Sequence, residues 1–321
     1  MRIENNANDV LTMKRCHLFL LLTSFSFFGC GSSDSTVVTW TMLGVNHSLQ
    51  QTDAHLVQGY GKTIMIDTGH KLTASKLIRD LNERKIKSID AIFITHPHSD
   101  HYGGLLTIIE SEIEIGVIYM NDVSQKWMKR EWWGGNYGDL IEIRKSAEAK
   151  NILIQDYSHF DTFSFSENCH FRKLFIFNED ELSKLGIGPD INELSLVAEL
   201  TYGPYKALFT GDLNKKLSNW IVRNSKESII CDVLKVPHHG TEGLASNEFF
   251  LATRAKACLV PSPRHLWDSN RSLRTRMVFS EMKSKAIVNG EHGNVEVEFS
   301  SSGIKIRSDA DSDLFSLIKD D

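Results

Sequence analysis

The chain has 321 residues, 41% apolar and 24% charged, the make-up of a globular protein with a sizeable core in one large or two small domains. A formal net charge of −5 and a pI near 6.2 give no global basic field. That argues against a protein whose main task is gripping a nucleic-acid backbone, and leaves room only for a local basic groove.

The first thirty residues read as an address. Met13-Lys14-Arg15 is a short basic start, Leu18 to Phe28 is an almost wholly apolar run, and Gly29-Cys30 follows. An apolar run this short behind basic residues is the core of a signal peptide, not a membrane span. Its ending resembles a bacterial lipoprotein signal, with Phe27 where leucine is usual. That implies lipidation of Cys30 and a membrane-anchored protein of the bacterial cell envelope; ordinary secretion and an uncleaved anchor are the other readings. Met1 to Thr12 is polar and odd ahead of such a signal, so Met13 reads as the start. The expected layout is a signal over 1–30, a tether over 31–35, a main domain over 36–307 and an acidic, mobile tail over 308–321. Cys231 and Cys258 sit in apolar runs and read as buried free thiols, and with Cys16, Cys30 and Cys169 they make no disulfide framework.

Within the main domain, Val37 to Leu43 alternates as a first strand. His55–Gln58 and Lys62–Asp67, joined through Gly59-Tyr60-Gly61, read as a hairpin. Leu72, Leu77, Ile78 and Leu81 mark a helix over 72–85. Ala91-Ile92-Phe93-Ile94 is a short buried strand that runs into Thr95-His96-Pro97-His98-Ser99-Asp100-His101. Three imidazoles and a carboxylate fall within six positions there. In an extended loop residues two apart point the same way, so His96 and His98 converge on one ion while Asp100 and His101, further on, face a second. Imidazole with carboxylate is a ligand set for zinc and its neighbours. The plain alternative is a histidine-rich surface loop.

Further on, 113–120 reads as a strand, 127–137 as a loop holding Trp127, Trp132 and Trp133, and 139–150 as a helix. Strands are expected at 151–155, 170–177, 194–201 and 206–210, and a helix over 213–224. The strand Cys231 to Val236 then enters Pro237-His238-His239-Gly240-Thr241. A helix at 246–253, a strand at 257–260, a helix over 272–283 and strands at 286–288, 295–299 and 304–306 complete the chain. Two halves of mixed strands and helices suggest two packed sheets with helices outside.

The pattern His96-x-His98-x-Asp100-His101, with Thr210-Gly211-Asp212 and Val236-Pro237-His238-His239-Gly240-Thr241 each after a strand, resembles the metallo-β-lactamase superfamily. Gln51-Thr52-Asp53-Ala54, Met65-Ile66-Asp67-Thr68-Gly69, Asn192-Glu193-Leu194-Ser195-Leu196-Val197 and Leu234 to Thr241 are similar to stretches of the hydrolase domain of ComEC-type competence proteins and their stand-alone relatives. The resemblance spans about Thr36 to Ile306. It implies an α/β fold, an αββα sandwich of two mixed sheets, and two Zn(2+) ions, with Mn(2+) as an alternative. His96 and His98 would hold the first ion, Asp100 and His101 the second. Asp212 would bridge them. One of His238 and His239 would complete the second ion, with His239 favoured as ligand and His238 as a substrate or proton-transfer residue. Asp67 would orient the metal loop. Asn192 stands where many members supply a histidine, which implies a weak first site; His159 and His170 are possible substitutes, though more readily structural.

A pair of ions that lowers the pKa of a bound water serves hydrolysis of phosphodiesters, esters, lactones and amides alike. The resemblance favours a phosphodiester or phosphoester hydrolase acting on a small-molecule, nucleic-acid or envelope substrate. The alternatives are a lactone or β-lactam hydrolase and a non-catalytic envelope binding module. Asp100 and His238 are the candidate catalytic residues. Arg264 and Lys235 are candidate phosphate contacts or ordinary charges. Trp132 and Trp133 either bind substrate at the metal mouth, with Trp127, or cap the core.

Overall fold

The computed structural model describes residues 37–45, 50–241 and 244–319, so the signal, Cys30 and the tether lie outside the described residues. In chain order the strands are β1 (Val38–Met42), β2 (Ala54–Gly59), β3 (Lys62–Thr68), β4 (Ser88–Ile94), β5 (Glu114–Met120), β6 (Leu153–Gln155), β7 (Thr162–Ser166) and β8 (Cys169–Phe175). They continue with β9 (Val197–Tyr202), β10 (Tyr205–Phe209), β11 (Val233–Lys235), β12 (Ala257–Val260), β13 (Lys285–Val288), β14 (Val295–Ser300), β15 (Gly303–Ser308) and β16 (Phe315–Leu317).

One sheet runs β16-β15-β14-β1-β2-β3-β4-β5-β6 and the other β13-β12-β11-β10-β9-β8-β7. Both are mixed: β3 to β6 and β10 to β13 are parallel, and the remaining pairs antiparallel. Period-two alternation sends successive side chains to opposite faces. Trp40, Ile66, Phe93, Phe171, Phe209 and Leu259 therefore meet between the sheets. Their neighbours Met65, Ile92, Leu208, Leu234 and Cys258 face outward and pack under helices such as Ala74–Glu83, Tyr137–Ala149 and Lys215–Ser225. Aromatic rings lock the inter-sheet layer, with Trp40 4.4 Å from Phe209 and Phe93 4.9 Å from Phe171 between centroids. Each such ring contributes roughly 1.5–3 kcal/mol through burial. This is the expected αββα sandwich.

Some expectations fail for stated reasons. The tail does not run free: Phe315 and Leu317, two apart, are partly buried against the inter-sheet core, and β16 pairs with β15. The loop expected over 127–137 begins as a helix, Gln125–Arg130, because Ser124 caps it by accepting from Trp127 N at 3.2 Å. Trp127 on that helix is buried in the core. The strand expected from 194 begins only at Val197, because Ile191–Leu194, with Asn192, forms a single 3₁₀ turn ahead of β9. The first sheet also draws strands from both ends of the domain, since β14 returns from the C-terminal part to pair with β1. Cys231 and Cys258 are buried free thiols, as expected, and Cys169 is a third. Among the described residues no helix is long and apolar enough to cross a membrane.

Candidate metal centre

The strands β4, β10 and β11 end at the same rim of the sandwich, where loops leave the C-terminal ends of parallel strands, a usual place for a site. Behind β4, His96 Nε2 lies 3.1 Å from His98 Nδ1. The short helix Ser99–Tyr102 then swings Asp100 and His101 inward. Behind β10, Gly211 adopts a left-handed φ of 48°, and a Cβ there would stand 2.7 Å from Ser195 Oγ. The next residue, Asp212, is fixed through its N–H, which donates to Ser195 Oγ at 2.9 Å. After β11, His238 and His239 sit at φ 48° and 54°, successive left-handed conformations that non-glycine residues adopt at a cost of roughly 1–3 kcal/mol each.

These turns bring most of the expected ligands together. Asp212 Oδ2 is 3.3 Å from both His101 Nε2 and His239 Nε2, and His239 Nε2 is 3.1 Å from Asp100 Oδ2. Donors around a tetrahedral zinc with bonds near 2.1 Å stand roughly 3.4 Å apart, so the spacing fits. His101 Nε2 is buried without a hydrogen-bond partner among the described residues, and so is Asn192 Oδ1. Groups of this kind call for a cation. The rear nitrogens are already used: His101 Nδ1 faces Asp67 Oδ2 at 2.8 Å and His239 Nδ1 faces the Pro261 carbonyl at 3.0 Å. Both rings therefore present Nε2 forwards. Asp67 also accepts from Thr95 N and Oγ1, at 2.7 and 2.8 Å, which ties the end of β3 to the metal loop.

Electrostatics follow from burial and crowding. Burial drives the Asp212 carboxyl upward, but His239, His101 and Lys235 hold it well below the usual range. Asp100 ends at about 2, with burial again opposed by His101 and His239. Burial lowers His239, yet Asp212, Asp53 and Asp100 lift it to about 10, and His101 is raised likewise by Asp212 and Asp67. His96 stays neutral, because burial and its neighbours His101 and His98 depress it. His238 falls to about 4, mostly through burial and the adjoining His239, against the pull of Asp212.

Several residues outside the expected set belong here. Asp53, from the Gln51–Ala54 stretch, groups with His101, Asp212 and His239, with one ligand atom from each inside 4.8 Å. Its Oδ2 stands 3.8 and 3.9 Å from the rear nitrogens of His101 and His239, however, and pairs with Lys235. Asp53 thus lies behind the rings. Glu131 accepts from Ile191 N at 3.0 Å through one oxygen and faces His98 Nε2 at 3.0 Å with the other. Nothing in the run Lys129-Arg130-Glu131 signals this; Asp53, by contrast, stood inside a recognised motif.

The expected substrate contacts fare unevenly. A cleft of about 880 Å³ opens over His98, Asp100, Asp212 and His239, and Trp133 lines it. Trp132 is 77% exposed and is not among its lining residues. Trp127, buried in the core, cannot reach it. Arg264 is also outside the lining, because its side chain points to solvent beside Asp268. Lys235 is buried and held by Asp53, Asp212 and the Gly211 carbonyl, so it meets no ligand. His159 is exposed at the end of a 3₁₀ turn, and His170 is bound to Ser164 and Glu167 on β8; neither replaces Asn192.

The profile of the metallo-beta-lactamase superfamily matches residues 48–260. ComE operon protein 3 of Bacillus subtilis (strain 168) is 26% identical over 219 residues, covering 63% of this chain and 26% of that protein. A beta-lactamase-like protein 2 homolog of Drosophila melanogaster is 34% identical over 77 residues, 22% of this chain and 26% of that one. The chain spans about a quarter of the length of these curated relatives. Among solved structures, the metallo-beta-lactamase fold protein YhfI from Bacillus subtilis superposes with a TM-score of 0.52 at 13% identity, over 82% of this chain and all of that one. By its profile match, its two-sheet sandwich and its cluster of aspartates and histidines, the chain belongs to the metallo-β-lactamase superfamily of hydrolases.

Proposed function

We propose that the chain is a metal-dependent phosphoesterase whose preferred substrates are phosphodiesters. The observation that carries this reading is the rim of the cleft, where Arg130, Lys216 and Arg271 stand around the Asp-His cluster while the protein as a whole is acidic. Asp100, Glu131, Asp190 and Asp212 share that lining; metal ions held by Asp100 and Asp212 would offset two of these carboxylates, and the three exposed cations then favour an anionic ligand. His96 and His98 would hold one ion, Asp100, His101 and His239 a second, and Asp212 both; Zn(2+) and Mn(2+) suit this mixed set. When bound, the ions supply Lewis acidity and lower the pKa of water. Arg130, Arg271 and Lys216 would bind and orient the phosphate oxygens. His238 touches the substrate from the cleft wall, and Trp133 covers its far side. The short apolar run before Cys30 supports a place in the cell envelope through a lipidated cysteine.

Bis(p-nitrophenyl) phosphate, a chromogenic lactone and a chromogenic β-lactam, offered with zinc and with manganese, test the reading. Phosphodiester turnover should exceed the other two. Arg130→Ala and Arg271→Ala should each raise KM roughly fivefold to tenfold, as expected for the loss of a charged contact of about 1–1.4 kcal/mol. Faster lactone or β-lactam turnover would overturn it.

A further inference from the structure

His238 is half-buried and lines the cleft beside the ligand His239. Its Nδ1 lies 2.9 Å from Asn214 Oδ1. Asn214 is pinned in turn. Its Nδ2 donates to Asp190 Oδ2 at 2.9 Å, and its backbone N–H donates to Glu193 Oε2 at 3.2 Å. Asp190 Oδ1 accepts from Asn192 N at 3.1 Å. The other Glu193 oxygen accepts from Lys216 N and Leu217 N at 3.1 Å, fixing the first turn of the helix Lys215–Ser225.

The chain of donors has one consistent direction. Both Asp190 oxygens accept, one from Asn192 N and one from Asn214 Nδ2, so Asp190 takes the NH₂ end of the Asn214 amide. The carbonyl end is then left for His238, and a carbonyl also only accepts. His238 must donate from Nδ1, which leaves Nε2 with its lone pair. Among the described residues no hydrogen bond engages that Nε2 atom.

We infer that Asp190 and Asn214 are positioning residues that hold His238 as the Nδ1–H tautomer, so that Nε2 is a fixed hydrogen-bond acceptor for a hydroxyl or water in the cleft. This rests on the reading of the cleft as the site of hydrolysis. The order of the relay, imidazole to amide to carboxylate, sets a direction that an isolated histidine lacks. It also explains why His238 and His239 are neighbours with separate tasks: the left-handed turn sends one ring to the Asp212 side and the other to Asn214.

The tautomer is directly measurable. Long-range ¹H–¹⁵N correlation on the metal-loaded, ¹⁵N-histidine-labelled full chain, with His238 assigned by difference against His238→Gln, should show a protonated Nδ1 and an unprotonated Nε2. Asp190→Asn removes the acceptor-only constraint and should give mixed or inverted tautomers, with bound metal unchanged. Against bis(p-nitrophenyl) phosphate the same variant should lower kcat roughly tenfold or more with little change in KM. An Nε2–H tautomer in the unmodified chain overturns the inference without need of any variant, as does an unchanged tautomer in both Asp190→Asn and Asn214→Leu. The tautomer is read without substrate, so absence of phosphodiester turnover would overturn the functional reading and leave this result standing.

Discussion

Asp53, Asp100 and Asp212 bring three carboxylates together, and Lys235, His101 and His239 neutralise them in the metal-free protein. A buried ammonium paired on two sides cannot exchange for an ion without exposing Asp53. The two imidazoles can, since each loses its proton to become a ligand. Their raised pKa values thus become a statement about metal affinity. Acid favours the protonated rings and opposes the ion, and affinity rises with pH as His101 and His239 give up their protons. At pH 7 about two protons should leave on binding. Calorimetric titration with zinc in buffers of different ionisation enthalpy reads this number from the slope. A slope near zero would mean that the rings are already neutral.

The loop after the helix Gln125–Arg130 couples the cleft wall to the first metal position. Glu131 faces His98, Trp133 lines the cleft, and Gly134 packs flat on the His98 ring, where a Cβ would stand 2.5 Å from ring atoms. Gly134→Ala should therefore displace His98. We expect a loss of roughly 10–100-fold in affinity at the His96–His98 position, while the Asp100–His101–His239 group keeps its ion and the melting temperature stays within a few degrees. Chelator competition followed by circular dichroism checks both. Unchanged affinity would show that the loop tolerates the methyl group without moving the ring. This loop was the least legible element in the sequence. Its tryptophans drew attention as a group, but helix capping by Ser124 buries Trp127 and splits them. Glu131 and Asn214 act through partners 33 and 24 residues away, distances that no local pattern encodes. The ligands themselves were legible for the opposite reason, because each sits in a short motif closing an apolar strand. Lys235 had the right charge for a phosphate contact, and only three-dimensional packing shows that Asp53 already holds it.

Across the whole molecule, two mixed sheets deliver three strand ends to one rim, and the fold was readable because both faces of these strands are buried, so that each reads as a short continuous apolar run. The sheet order was harder. β14 to β16 return to the first sheet through long-range pairing, and the acidic composition of 308–321 hid the alternation of Phe315 and Leu317. The rigid frame means that removing a ligand should empty the centre without unfolding the chain. Asp212 is the sharpest case, because its carboxylate touches both His101 and His239 and faces Lys235. Metal content by mass spectrometry and bis(p-nitrophenyl) phosphate turnover should be measured together on the parent chain and on Asp212→Ala. The parent should hold up to two ions per chain and turn over substrate; Asp212→Ala should lose metal from both positions and at least about 10²-fold in kcat. Full metal content with full turnover in Asp212→Ala would contradict a hydrolase built on this centre.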